Sequence, residues 1–255
     1  MKWLARVACA ATAMACLILP IAAQEIPSAQ DILQQVTDLL FPPLSVSVAQ
    51  MESVRPDEEP IVLLFQLWRK GSEKALLEVL SDGVQKGQKI LRNGDLTLIF
   101  FPNICKTLPL DSKQSLFGSS FNVGDLARLD FASDYEPTLL GTQEVEGAAA
   151  YELELKAKVS GTTYDRILFR VRVEDLMPLS ADFYTLSGKL LNQMVFSNVQ
   201  ELAGQLRPAT RVMTSTAEPD AKTTLQIQSM EIPQELPDEM FGEDALQQGC
   251  SSTGG

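Results

Sequence analysis

From Tyr151 to Asp175 the chain reads YELELKAKVSGTTYDRILFRVRVED, with apolar residues on every second position. Tyr151, Leu153, Leu155, Ala157 and Val159 take one side, and Glu152, Glu154, Lys156 and Lys158 the other. Past Gly161 the rhythm resumes, with Ile167, Phe169, Val171 and Val173 set against Arg166, Arg170 and Arg172. Period two predicts strands with one dry and one wet face, joined here as a hairpin. A three-residue loop at Gly161–Thr163 would place Glu154 opposite Arg170 and Glu152 opposite Arg172. Such solvated pairs contribute about 0.2–1 kcal/mol each, and we read them as a wet face, not a site.

The same rhythm predicts strands over most of the chain. They run from Ser45 to Met51, Ile61 to Arg69, Ala75 to Leu80, Gln88 to Arg92, Asp95 to Phe101 and Ile104 to Leu110. After a break they return from Thr138 to Glu146, Ala150 to Val159, Tyr164 to Glu174, Leu179 to Tyr184, Leu190 to Ser197, Arg211 to Thr216 and Thr223 to Ile232. Asn93-Gly94 between two apolar runs predicts a type I′ hairpin turn. Helical spacing is confined to a few places. Asp31 to Leu40 is an amphipathic helix with Ser28 as candidate N-cap and Pro42-Pro43 as its stop. Val123 to Leu129 and Glu239 to Gln247 are short helices at most.

Regular short strands with tight turns predict an antiparallel sandwich or barrel. A single, strongly bent sheet fits equally, and it would fold around its own inner face and leave a trough. The helices are too few to fill such a trough but could lid it, and a lidded apolar trough suits a lipid or acyl chain. The inner-face candidates are Leu63, Phe65, Leu67, Leu98, Phe100, Leu153, Leu155, Phe169, Val171, Phe183 and Phe196, with Leu33, Val36 and Leu40 as the lid face. Each of these residues reads equally as ordinary core. Trp68 falls on the opposite face from Phe65 and Leu67, as a docking aromatic or a residue half-buried under a loop.

Composition narrows the chemistry. The 255 residues contain no histidine, which removes Ser-His-Asp and Cys-His nucleophiles, His-ligated metals and histidine bases together. No G-x-S-x-G, Walker-type loop or G-x-G-x-x-G is present, and nothing singles out a carboxylate pair, so we read no enzyme here. No cofactor is implied. The net charge of −12 disfavours nucleic acid and anionic membrane surfaces as partners.

The opening MKWLARVACAATAMACLILPIAAQE has Lys2 and Arg6, an apolar run from Val7 to Leu19, and Ala22-Ala23. This is a secretory signal over residues 1–23, with a lipid-anchored form disfavoured by the poor lipobox before Cys16. Residues 24–248 read as one domain and 249–255 as a disordered tail. Cys105 and Cys250 remain after cleavage, in a compartment where a long-loop bridge could form. Cys105 alternates with apolar neighbours as a small core residue would, and Cys250 sits in the GCSSTGG tail.

The order of motifs resembles the LolA-like family of outer-membrane lipoprotein-sorting proteins, especially its larger members. The likeness rests on KGQKIL from Lys86, DLTLIFFP from Asp95, FGSSFNVGDL from Phe117 and Leu140-Gly141. It continues with Val145-Glu146-Gly147, FYTLSGKLL from Phe183, Met213, Thr223-Thr224-Leu225, Ile232, Met240-Phe241 and Asp244-Ala245-Leu246. The resemblance implies an incomplete, strongly bent antiparallel barrel covered by helices. It implies a periplasmic carrier that shields acyl chains of lipoproteins or another lipid and hands them between membrane partners. The family's lid-locking arginine cannot be matched to Arg69, Arg92, Arg166, Arg170 or Arg172. The alternative is a non-enzymatic sensor or exporter accessory on the same scaffold. A dry, fully packed interior would sink the carrier reading.

Overall fold

The computed structural model describes residues 27–127, 130–158, 162–248 and 250. The expected leader at 1–23 and, from the expected tail, residues 249 and 251–255 lie outside these.

The first six strands are β1 (Leu44–Val54), β2 (Ile61–Lys70), β3 (Lys74–Val79), β4 (Lys89–Asn93), β5 (Leu96–Phe101) and β6 (Lys106–Pro109). The other seven are β7 (Tyr135–Val145), β8 (Ala148–Ala157), β9 (Arg166–Arg172), β10 (Pro178–Tyr184), β11 (Leu190–Leu202), β12 (Gln205–Ser215) and β13 (Lys222–Glu231). The helices are α1 (Ala29–Leu40), α2 (Val123–Ala127), α3 (Phe131–Asp134) and α4 (Glu243–Leu246).

All strands belong to one antiparallel sheet, ordered β6-β5-β4-β3-β2-β1-β13-β12-β11-β10-β9-β8-β7. Neighbours in space are neighbours in sequence except β1 and β13, which join the two halves. The sheet stays open, with β6 and β7 as its edges, and residues 110–134, carrying α2 and α3, connect one edge to the other. This is the mainly β architecture that the alternation and the resemblance imply. Laid flat, thirteen strands at about 4.8 Å spacing would span roughly 58 Å. Yet side chains from β1 to β4 and from β7 to β13 meet in one buried cluster, so the sheet curls around its inner face.

Helix α1 starts where its sequence predicts. The Ser28 hydroxyl accepts from the Asp31 amide at 3.1 Å, satisfying one of the donors a helix start leaves unpaired. Ile32, Leu33, Val36 and Leu40 form the buried stripe, which packs on β7, β12 and α3.

The outer face of β1–β5 is covered as well. Leu76, Leu91, Leu98 and Phe100 pack there against Leu236, Phe241 and Leu246 of the C-terminal segment, with Trp68 half-buried among them. Leu98 and Phe100 therefore do not line the trough. Their register partners, Leu91 and Lys89, stand on the outer side, and Ile99 points inward instead. Trp68 is the half-buried residue under a loop, not a free docking aromatic.

Three local expectations are corrected. First, Cys105 is not a core strand residue. It follows a single helical turn at Pro102–Ile104, has φ 47°, and is disulfide-bonded to Cys250, so the tail is pinned at that point. Second, Asn93 pairs with Leu96, leaving Gly94-Asp95 as the two-residue loop. Only Gly94 of the pair is left-handed, at φ 62°, which is the glycine-first II′ arrangement and not I′. Third, the β8–β9 register is shifted by two residues, so that Glu152 faces Arg170. Arg170 binds Glu152 at 3.3 Å and Asp182 at 2.8 Å, Arg166 binds Glu154 at 3.2 Å, and Arg172 turns to Asp175 at 2.7 Å. The cause is Tyr164, which leaves the strand and buries its ring in the core.

Candidate functional site

The curled sheet brings most of the predicted inner-face residues together. Leu63 and Phe65 of β2, Leu153 and Leu155 of β8, Phe169 and Val171 of β9, Phe183 of β10 and Phe196 of β11 are buried in the inner cluster, and Leu67 packs against it. The lid residues Leu33, Val36 and Leu40 belong to the same cluster. Phe131 of α3 stacks 5.1 Å from Phe169, and Phe41, at the end of α1, lies 6.0 Å from Phe131. The trough is thus filled by the chain's own helices. What remains is a cavity of about 30 Å³, lined by Leu40, Phe41, Ala49, Phe65, Leu67, Arg69, Leu126, Arg211, Leu225 and Ile227 among others. That is room for a few waters and far below the roughly 300–1,000 Å³ of a small-molecule pocket. A hollow of about 410 Å³ elsewhere is a surface notch between Arg55–Glu58 and Glu218–Ala221, across which Arg55 binds Glu218 at 3.1 Å.

Two polar features lie inside this apolar space. The first is a set of buried arginines on inner-face positions. Arg211 of β12 and Arg69 of β2 flank the Phe41 ring, their guanidinium carbons 4.8 and 4.9 Å from its centroid. These are cation–π contacts in a desolvated setting, where such contacts are strongest. Arg211 Nη2 donates to the Leu40 carbonyl at 3.1 Å, and Arg69 Nη2 donates to the Leu126 carbonyl at 3.2 Å. Arg207 Nη1 donates to the carbonyls of Asp38, at 3.2 Å, and Leu39. The last turn of α1 has no basic residue of its own, so sheet arginines satisfy its free carbonyls and the negative end of its dipole. Burial lowers the pKa of both Arg69 and Arg211 to about 10, so both stay charged at neutral pH. Arg207 and Arg211 were not among the arginines weighed from the sequence. Their signal is parity, since Arg207 and Arg211 stand on the same face of β12 as the buried Ala209 and Met213.

The second feature is a network around Tyr164. Asp125 Oδ2 accepts from the Asn122 amide at 2.7 Å and from the Tyr164 hydroxyl at 3.0 Å. The same hydroxyl accepts from Asn122 and Asn192 side-chain amides, each at 3.1 Å, and Tyr135 donates to the Tyr164 carbonyl at 3.1 Å. Tyr164 thereby ties α2 to β11 and to the start of β7. Burial raises the Asp125 carboxyl to about 7 against its two hydrogen bonds, and its Oδ1 has no partner. Among the described residues no group of His, Cys, Asp or Glu could hold a metal ion, and no helix is long and apolar enough to cross a membrane.

Residues 71–248 match the model of a family described as uncharacterized protein. A comparison with curated proteins returns no match. Among solved structures, the LolA superfamily protein NE2245 from Nitrosomonas europaea superposes with TM-score 0.79 at 28% identity, over 86% of this chain and 100% of that one. A DUF1329 family protein from Desulfovibrio piger gives 0.75 at 21% identity, over 86% of this chain and 97% of that one. A Vibrio parahaemolyticus domain, itself a candidate outer-membrane lipoprotein-sorting protein, gives 0.75 at 18%, over 86% and 98%. These last two share the fold. With a family model over residues 71–248 and a LolA superfamily structure superposing on 86% of its length, the chain belongs to the LolA-like family.

Proposed function

We propose that this protein is a periplasmic carrier, exported by cleavage after Ala23. It takes up acyl chains of a lipoprotein, or another lipid, into the trough for transfer toward the outer membrane. The work is binding, not bond-breaking. One observation carries the reading: the inner face of a thirteen-stranded sheet is covered by one helix, α1, which sheet arginines hold by its end.

The filled trough tells against a carrier with a preformed cavity, so in this reading the closed form is the empty-handed state and cargo has to displace α1. Exposing Ile32, Leu33, Val36 and Leu40 costs about 1.5–3 kcal/mol each, or roughly 6–12 kcal/mol in all. An acyl chain gains about 0.8 kcal/mol per buried methylene, so one of about 16 carbons offsets the loss with roughly 13 kcal/mol. The near balance suits a carrier that must also let go. Inner- and outer-membrane handover proteins are the partners this reading calls for. Leu63, Phe65, Leu67, Leu153, Leu155, Phe169, Val171, Phe183 and Phe196 would meet the chain, and Leu33, Val36 and Leu40 would move.

Native mass spectrometry of protein purified from its own periplasm tests this. An added mass that fragments to fatty acyl groups is the expected result. Ligand-free protein that takes up no acyl probe, with α1 amides protected as strongly as the sheet, would overturn it.

A further inference from the structure

Arg211 presents a feature that the closed state leaves half used. It is 6% exposed, yet its Nε has no hydrogen-bond partner. Nε and Nη2 lie along one edge of the guanidinium plane, the edge that grips two oxygens of a carboxylate or phosphate. Here Nη2 holds the single carbonyl oxygen of Leu40, and the Nε half is unfilled. The group lines the cavity between α1 and the sheet, with Arg69 across the Phe41 ring. No acid among the described residues forms an ion pair with Arg211, and the charge that bears most on it is the like charge of Arg69. A buried cation so placed is stabilised by an anion that fills both halves of its edge.

We propose that Arg211, with Arg69 beside it, is the receptor for the anionic head group of an acyl amphiphile, a carboxylate or phosphate that takes the place of the Leu40 carbonyl. The inference rests on the carrier reading and names the class of its cargo. It also supplies a trigger. The head group competes for the donor that holds the end of α1, so the ligand that needs the trough also releases the helix closing it. The acidic exterior, at net charge −12, does not draw small anions inward. The anion reaches Arg211 because an apolar chain carries it there, so free phosphate and short carboxylates are not ligands.

The test is calorimetric titration of the mature wild-type chain and of Arg211→Met and Arg211→Lys with oleate, 1-oleoyl lysophosphatidate, methyl oleate and monoolein, all below their micellar concentrations. Wild type is expected to bind one or both anionic probes roughly 10- to 100-fold more tightly than the neutral ones, the range of a charge-assisted hydrogen bond. Oleate or lysophosphatidate as the tighter of the two identifies carboxylate or phosphate as the natural head. In Arg211→Met the ratio of anionic to neutral affinity should fall to about one, and Arg211→Lys, which keeps charge but not the fork, should retain part of the preference. Equal wild-type binding of charged and neutral probes overturns this proposal and leaves the carrier standing, and it does so even if Arg211→Met fails to fold. A preference that survives in Arg211→Met also overturns it. No binding of any probe overturns both readings.

Discussion

Replacing Asp125 by asparagine probes the polar network inside the apolar cover. Burial holds this carboxyl at about 7, against 3.8 for an unperturbed aspartate. The folded state therefore keeps a proton that the unfolded chain releases near pH 4. Stability contributed by this group is full below about pH 4, declines as pH rises, and is gone above about pH 7. Between pH 5 and pH 8 the loss is roughly 2.5 kcal/mol, with a slope approaching about 1.4 kcal/mol per pH unit at its lower end. Asparagine can accept the same bonds from the Asn122 amide and the Tyr164 hydroxyl, but it does not titrate. Guanidinium unfolding of wild type and Asp125→Asn at pH 5, 6, 7 and 8 isolates the term, because every other ionisable group is common to both. The expected result is a difference between the two proteins that shifts in favour of the variant with rising pH, by roughly 2.5 kcal/mol in total. Parallel pH profiles would refute the reasoning, and would mean that water or rearrangement solvates Asp125 in the folded protein.

Reducing the Cys105–Cys250 bridge, which spans 145 residues of sequence, should lower unfolding free energy by about 5 kcal/mol on the chain-entropy account, read from denaturant midpoints with and without reductant. Phe169→Ala removes a ring that touches Phe131 and Phe196, and should cost about 3–5 kcal/mol by the same measurement. Arg207→Met takes away the donor to the Asp38 and Leu39 carbonyls while keeping an apolar stem. Amide exchange across Ala29–Leu40 should then rise roughly ten-fold with the sheet unchanged, whereas unaltered exchange would show that the Arg207 bonds do not seat α1.

The parts legible in the sequence were those that alternation controls. Leu153, Leu155, Phe169 and Val171 face inward because their strands are wet on one side, with Glu152, Arg170 and Arg172 marking the outside. Leu98 and Phe100 were misplaced for the opposite reason. In Leu96–Phe101 both parities are largely apolar, because the C-terminal segment covers the outer face, and alternation cannot say which side is which. The apolar run of Ile61–Lys70 carries the same ambiguity at Trp68. Registers failed where a side chain overrode the turn, as Tyr164 did at the β8–β9 loop. The buried arginines were the least legible. A guanidinium on an inward position looks like any charged residue until the carbonyls of α1, far away in sequence, are seen to meet it.

The join between β1 and β13 sets an order of assembly. Ser53 and Thr223 meet across that seam at 3.1 Å, although 170 residues separate them. As the chain emerges from its N-terminus, β1 to β6 can pair by hairpins, but the second edge of β1 has no partner until Lys222–Glu231 arrives. Pairing over such a distance is slow, and a bare strand edge recruits other chains. The molecule thus passes through a vulnerable interval in which its earliest strands wait on its last one. A chain ending before Lys222 would never leave that interval, and it should accumulate as aggregate and not as a smaller folded protein.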